Sequence, residues 1–221
     1  MKLLIEALTK FTCGLLLVGL LIFLPAGTLG YAYGWLLIGL LFGPMLIAGL
    51  VMLTKSPEFL KKRLDAKEKQ GTQKGVVAIS GLMFVIGFVV AGLDFRFGWS
   101  AMPTWVVITA SVLFLTAYAL YAEVMRENAY LSRTVKVENG QTVVDTGLYG
   151  IVRHPMYAVT ILLFLMIPLV LGSWYALIVF AFYPAIIVVR LKDEEELLSR
   201  ELPGYEAYQQ KVKYRLFPYI W

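Results

Sequence analysis

The chain has 221 residues, 59% of them hydrophobic and 16% charged, with a mean hydropathy of +0.73 and a formal net charge of +5. Soluble domains carry about 25% charged residues, so this composition, with its charges clumped between long uncharged stretches, indicates an integral membrane protein. The single cysteine, Cys13, excludes an internal disulfide, and one cysteine with one histidine is too few for a His/Cys zinc or haem site, so no metal is expected.

Six apolar runs stand out, at about 11–31, 34–53, 75–93, 102–122, 156–171 and 174–189. A bilayer core needs roughly 20 apolar residues per helix, so the chain is read as an all-α membrane protein with about six transmembrane helices. The first run is followed by Pro25-Ala26-Gly27 and then by another apolar run, which reads as a span rather than a secretory signal. The fourth starts near Pro103, as suits a helix's first turn. The fifth and sixth are joined by Gly172-Ser173 and predict a tight helical hairpin, with Pro168 and Pro184 inside it as kinks.

Orientation follows from Lys and Arg. The loop after the second run carries Lys55, Lys61, Lys62, Arg63, Lys67, Lys69 and Lys74. With six spans, that loop shares a side with both termini and with residues 123–155, and every Lys and Arg except Arg96 faces the cytoplasm, as in a bacterial-type inner membrane. The basic balance is then a topology signal, and no nucleic-acid partner is expected. The opposite-side loops, Pro25 to Tyr33, Asp94 to Ala101 and Gly172-Ser173, are too short to form an aqueous vestibule. The chain is expected to divide into a four-helix transmembrane region, 1–122, and a second region, 123–221, that holds the hairpin and the C-terminal helices.

Within the second region, Thr134-Val135-Lys136-Val137 and Thr142-Val143-Val144 flank Asn139-Gly140, which predicts a small cytoplasmic β-hairpin. It leads through Gly147-Leu148-Tyr149-Gly150 to Arg153-His154-Pro155-Met156-Tyr157. After the sixth run, Arg190 to Tyr214 reads as one or two amphipathic helices broken at Pro203-Gly204, with Tyr205, Tyr208 and Tyr214 as interfacial anchors.

The helical hairpin therefore has a basic, imidazole-bearing entrance and an acidic exit, Asp193-Glu194-Glu195-Glu196, on one side of the membrane. Taken singly, Arg153 fits a snorkelling anchor, His154 a structural hydrogen bonder, and the acids a solvated helix start. Together they are complementary to a zwitterion. Arg153 and the free backbone donors after Pro155 suit a carboxylate. Glu194 or Glu195 suits an ammonium, and the rings of Tyr149 and Tyr157 suit a soft cation. S-adenosylmethionine carries a carboxylate, an ammonium, a sulfonium and a flat base, although composition shows complementarity alone.

The ordered motifs Gly147-Leu148-Tyr149, Arg153-His154-Pro155-Met156-Tyr157, Arg190 with Glu194-Glu195 and Leu198, then Gly204 and Tyr208, resemble the isoprenylcysteine carboxyl methyltransferase family. Its superfamily includes phospholipid N-methyltransferases. The resemblance covers about Asn128 to Pro218 and departs at Leu148, often Pro in the family, and at Ala158-Val159, where the family has Gly. It implies a membrane-embedded S-adenosylmethionine-dependent methyltransferase acting on a lipophilic acceptor, a prenylcysteine-like carboxylate or a lipid amine.

By the resemblance, Gly147, Tyr149, Arg153, His154, Pro155, Tyr157, Arg190, Glu194 and Glu195 bind the cofactor, with Arg153, His154 and Glu195 closest to catalysis. The cofactor is expected from the cytoplasm and the acceptor laterally from the bilayer. The alternatives are an NADPH-dependent sterol-type membrane reductase and a non-enzymatic small transporter. The spans carry almost no ionisable group at mid-depth, which disfavours a transporter of ions or solutes.

Overall fold

A computed structural model describes residues 2–65, 71–132 and 134–221, and Lys67 and Lys69 lie outside them. Helices α1 (Lys2–Ala26), α2 (Ala32–Lys55), α4 (Gly71–Phe97) and α5 (Thr104–Glu127) are long, apolar rods. Short α3 (Pro57–Leu64) lies between the second and third of them. The second half comprises α6 (Pro155–Val170), α7 (Trp174–Phe180), α8 (Tyr183–Glu201) and α9 (Tyr205–Lys211).

Among the described residues, five helical stretches are long and apolar enough to cross a bilayer, counting Trp174–Glu201 as one. The run predicted as the fifth span is α6, of only 16 residues. At 1.5 Å per residue it reaches about 24 Å, short of a roughly 30 Å hydrocarbon core. Many leucine, isoleucine and valine side chains on these helices point outward, including Leu20, Leu24, Ile47, Leu82, Ile108 and Ile178. That surface suits lipid rather than water, and the protein is a multi-pass membrane protein.

Two further expectations are corrected. The sixth predicted helix is interrupted at Ala181–Phe182 and resumes as α8. Pro184 is the cause: it has no amide hydrogen and its ring crowds the carbonyl four residues earlier, so the preceding turn breaks rather than merely bends. The predicted β-hairpin forms no strand among the described residues. Gly140 turns the chain at φ 73°, but the arms run as irregular chain. Val137 and Val143 pack instead on Leu202, Tyr205, Tyr208 and Val212, because two short strands alone are marginal without a surface to cover.

Side-chain contacts sort the connections into two ends. At one end, Lys10 donates to the carbonyl of Leu64 at 2.7 Å, Arg63 reaches the Tyr121 hydroxyl, and Lys62 pairs with Glu138 at 2.6 Å. Gln73 at the start of α4 donates to Asp193 on α8. At the other end, buried Asp94 accepts from the backbone and hydroxyl of Ser100, at 2.7 and 2.6 Å, and from the Ser173 hydroxyl. Tyr31 donates to the carbonyl of Leu171. The three opposite-side loops therefore meet as a hydrogen-bonded unit. They also border a recess of about 550 Å³, open mouth included, lined by Tyr31, Asp94 and Ser100, where the sequence suggested none.

The bundle is held by close packing at small residues. A Cβ on Gly92 would lie 2.5 Å from the carbonyl oxygen of Ile22, so α1 and α4 touch backbone to backbone. Gly81 on the same helix has nothing within 4 Å of that position. Gly92→Ala should therefore destabilise the detergent-solubilised protein by about 1–3 kcal/mol through overpacking, while Gly81→Ala is neutral or stabilising. Thermal melts followed by circular dichroism would check the contrast.

Candidate functional site

The site lies where the start of α6, the polar half of α8 and the chain after α9 converge. Pro155 is the first residue of α6, where a missing amide hydrogen costs nothing, and this seats Arg153 and His154 directly before the helix. Their amides do not join the helix. Arg153 N–H donates to the carbonyl of Tyr214 and His154 N–H to that of Arg215, both at 2.9 Å. The motif is thus stitched by its backbone to the chain's C-terminal segment.

The side chains repeat that stitching. Glu195, buried on α8, accepts from Arg153 Nε at 2.6 Å through Oε1 and from Arg215 Nε at 2.7 Å through Oε2. His154 Nε2 lies 3.3 Å from the same Oε1 and 3.4 Å from the Tyr205 hydroxyl. Arg153 Nη1 donates to the carbonyls of Val212 and Lys213 at 2.8 and 3.0 Å. Buried charges persist when paired and hydrogen-bonded, and here one carboxylate serves two guanidinium groups.

The adjacent Glu194 accepts from the Tyr157 hydroxyl, which in turn accepts from Arg190 Nε at 3.0 Å. The Arg190 guanidinium carbon also sits 5.9 Å from the centre of the Tyr157 ring. The His154 and Tyr157 rings stack at 5.7 Å between centres.

These groups border a cleft of about 810 Å³, open mouth included. Of the residues expected from sequence, Tyr149, Arg153, His154, Tyr157, Arg190 and Glu194 line it. Glu195 and Pro155 do not; both are buried behind its wall. Gly147 is also outside the lining. It adopts φ 53°, and a Cβ there would lie 2.8 Å from the Glu127 carboxyl carbon, so glycine is needed to turn the chain beside α5.

Sequence reasoning missed the inward role of α9. Tyr205 and Tyr208 were read as interfacial anchors, yet both are buried and line the cleft. The Tyr208 hydroxyl donates to the carbonyl of Tyr149 at 2.7 Å, and Asn128 Nδ2 donates to the Tyr149 hydroxyl at 3.0 Å. Their three-residue spacing after left-handed Gly204 was the available signal, since it places both rings on one helix face. Burial pushes the hydroxyls of Tyr149, Tyr205 and Tyr208 above the usual tyrosine range, and the neighbouring Glu195 adds to this for Tyr205. All three stay protonated at neutral pH.

Comparison with known proteins gives one family match and two partial relatives. Residues 104–200 match the isoprenylcysteine carboxyl methyltransferase (ICMT) family, as the motifs implied. A Delta(14)-sterol reductase, TM7SF2, from Mus musculus is 29% identical over 91 residues, which is 40% of this chain and 22% of that protein. The uncharacterized protein YpbQ from Bacillus subtilis (strain 168) is 29% identical over 97 residues, 43% of this chain and 58% of that protein. The chain thus spans less than two thirds of either relative.

Two outcomes follow from the geometry. Glu195→Ala leaves the buried Arg153 guanidinium without its carboxylate and beside the partly exposed Arg215, and should cost about 3–5 kcal/mol, as breaking one side of a buried ion pair does; a detergent melt reads this directly. The tyrosines set the alkaline limit. In the unfolded chain they ionise near pH 10, while in the fold they hold their protons, so stability is complete below about pH 10 and falls as pH rises further. Tyr205→Phe should show a shallower loss of melting temperature between about pH 9 and 11 than the parent protein.

Proposed function

We propose that the cleft binds S-adenosylmethionine and that the protein transfers its methyl group to a lipophilic acceptor, a prenylcysteine-like carboxylate or a lipid amine. The observation that carries the reading is the presence of Arg153 and Glu194 in the lining of one cleft, together with tyrosines that include Tyr149, Tyr157 and Tyr205. A guanidinium, a carboxylate and aromatic faces are the groups a zwitterionic sulfonium with a flat base requires. The ICMT match over 104–200 supports the same chemistry.

Each residue then has a defined task. Arg153 offers its remaining nitrogen, Nη2, to the ligand carboxylate, and Glu194 accepts from the ligand ammonium. Tyr149, Tyr157 and Tyr205 present ring faces. His154, held beside Glu195 and Tyr205, shapes the cleft, and with an amine acceptor it could also receive the proton that the amine sheds. Glu195, Gly147 and Pro155 set the frame, and Arg190 orients the Tyr157 hydroxyl. S-adenosylmethionine supplies an activated methyl on sulfur, so the protein's share is alignment and exclusion of water, which can be worth roughly 7–11 kcal/mol in favourable cases.

The described Lys and Arg cluster largely at the cleft end, which supports a cytoplasmic location for that end and for both termini, as in a bacterial inner membrane. An acceptor with an apolar tail would arrive from the bilayer between helices. The sterol reductase similarity is the one observation favouring a nicotinamide-dependent reductase instead.

The purified protein should be stabilised thermally by S-adenosylhomocysteine and not by NADPH; the reverse would replace this reading with the reductase. By calorimetry, Arg153→Ala and Glu194→Ala should each weaken S-adenosylhomocysteine at least about 30-fold, as expected for removing one partner of a desolvated charge pair. Unchanged affinity in both variants would remove the assignment. Mass spectrometry of lipids and prenylcysteine analogues after incubation with isotope-labelled S-adenosylmethionine would identify the acceptor.

A further inference from the structure

Arg215 belongs to none of the motifs that point to the cofactor, and it does not line the cleft. Its surroundings are nevertheless specific. Its Nε donates to Glu195 Oε2 at 2.7 Å, and its guanidinium carbon lies 5.0 Å from the centre of the Trp221 ring. Its amide donates to the carbonyl of Trp221 at 2.9 Å, and its own carbonyl accepts from His154 N–H at 2.9 Å. Backbone and side chain are therefore both fixed, in register with Arg153 and His154.

What this arrangement denies to Arg153 is the more informative point. A carboxylate facing an arginine prefers to take two parallel N–H bonds from one edge of the guanidinium. Arg153 presents such an edge, Nε with Nη2, toward Glu195, yet only Nε is engaged. The second carboxylate oxygen is held by Arg215. Nη1 is committed to the carbonyls of Val212 and Lys213. Among the described residues, Nη2 makes no hydrogen bond, and Arg153 lines the cleft.

We propose that Arg215 is a positioning residue that splits the Glu195 carboxylate, so that Arg153 keeps Nη2 available for the anionic group of the ligand. This rests on the reading of the cleft as an S-adenosylmethionine site. In Arg215→Ala, Oε2 is released and rotates to close the two-bond fork with Arg153, which withdraws Nη2 from the cleft. The variant retains one buried carboxylate against one buried guanidinium, so the fold persists while the anion seat is lost.

The test compares two ligands, S-adenosylhomocysteine, which carries the amino-acid carboxylate, and 5′-methylthioadenosine, which lacks it. Affinities are measured on the full chain in detergent, with a melt for each variant. Arg215→Ala should weaken S-adenosylhomocysteine at least about tenfold, a typical coupling between neighbouring charged groups, and leave 5′-methylthioadenosine within about twofold. Arg215→Lys, which keeps a cation against Oε2, should recover part of the loss, and it carries the same comparison if the alanine variant does not fold. Equal weakening of both ligands would mean a merely structural role, and no weakening of either would mean no role; both overturn the inference. If the parent protein binds neither ligand, the cofactor reading itself fails and this inference with it, an outcome distinct from the other two.

Discussion

The Glu195 carboxylate is the constraint around which the site is organised. Two other parts of the chain reach it on α8: Arg153 and His154 before α6, and Arg215 in the last ten residues. A single buried acid among these groups is unstable unless all of them arrive, and each cation is unstable without the acid. That mutual dependence ties α8 to the start of α6 and to the chain after α9. Asp94 acts similarly at the opposite end, where Ser100 and Ser173 converge on it. The bundle is pinned at both ends by a buried carboxylate, while its middle is held by apolar packing, including Phe84, Phe88 and Phe180 edge to face.

Much of this was legible in the sequence because the relevant signals are local and strong. Long uncharged runs predict membrane helices, and the hairpin turn at Gly172-Ser173 follows from two residues, one at φ 73° and the other capping α7 with its hydroxyl. The proximity of Arg153-His154 to the acids follows from folding that hairpin back on itself. The extent of α6 was legible as well: the apolar run at about 156–171 and the helix Pro155–Val170 differ by one residue at each end. The irregularity at Pro184 was placed correctly and its degree was not, because a proline within a run is compatible with either a kink or an interruption.

The failed hairpin is instructive in a different way. Thr134 to Val144 has the alternation and the Asn-Gly turn of a two-stranded sheet, and the turn is present. What the local pattern could not contain is the apolar surface supplied by Leu202, Tyr205, Tyr208 and Val212 more than sixty residues later. Val137 and Val143 bury against that surface, and residues along the same stretch form a wall of the cleft. Tertiary burial outweighs strand pairing here because two strands without a third offer little burial of their own. Arg215 was missed for a related reason: an isolated arginine near an aromatic-rich tail has no periodic or motif signature.

The run Asp193 to Glu196 shows how a helix assigns different work to consecutive like residues. Successive side chains on a helix are rotated by about 100°, so four acids in a row cannot share a partner. Asp193 turns toward α4 and accepts from Gln73, Glu194 faces the cleft and Tyr157, and Glu195 turns inward to Arg153 and Arg215, while Glu196 is exposed. Three of the four thereby tie α8 to three different parts of the chain. The like-charge repulsion that such a run would otherwise carry is met by arginines on two of those faces, Arg190 through Tyr157 and Arg153 with Arg215 around Glu195. A reading that treats the acids as a solvated stretch accounts for Glu196 alone. The rotation also explains why shifting one acid by a single position is not conservative: moving the carboxylate from 195 to 196 would carry it about 100° away from both guanidinium groups and leave the buried one, Arg153, unpaired.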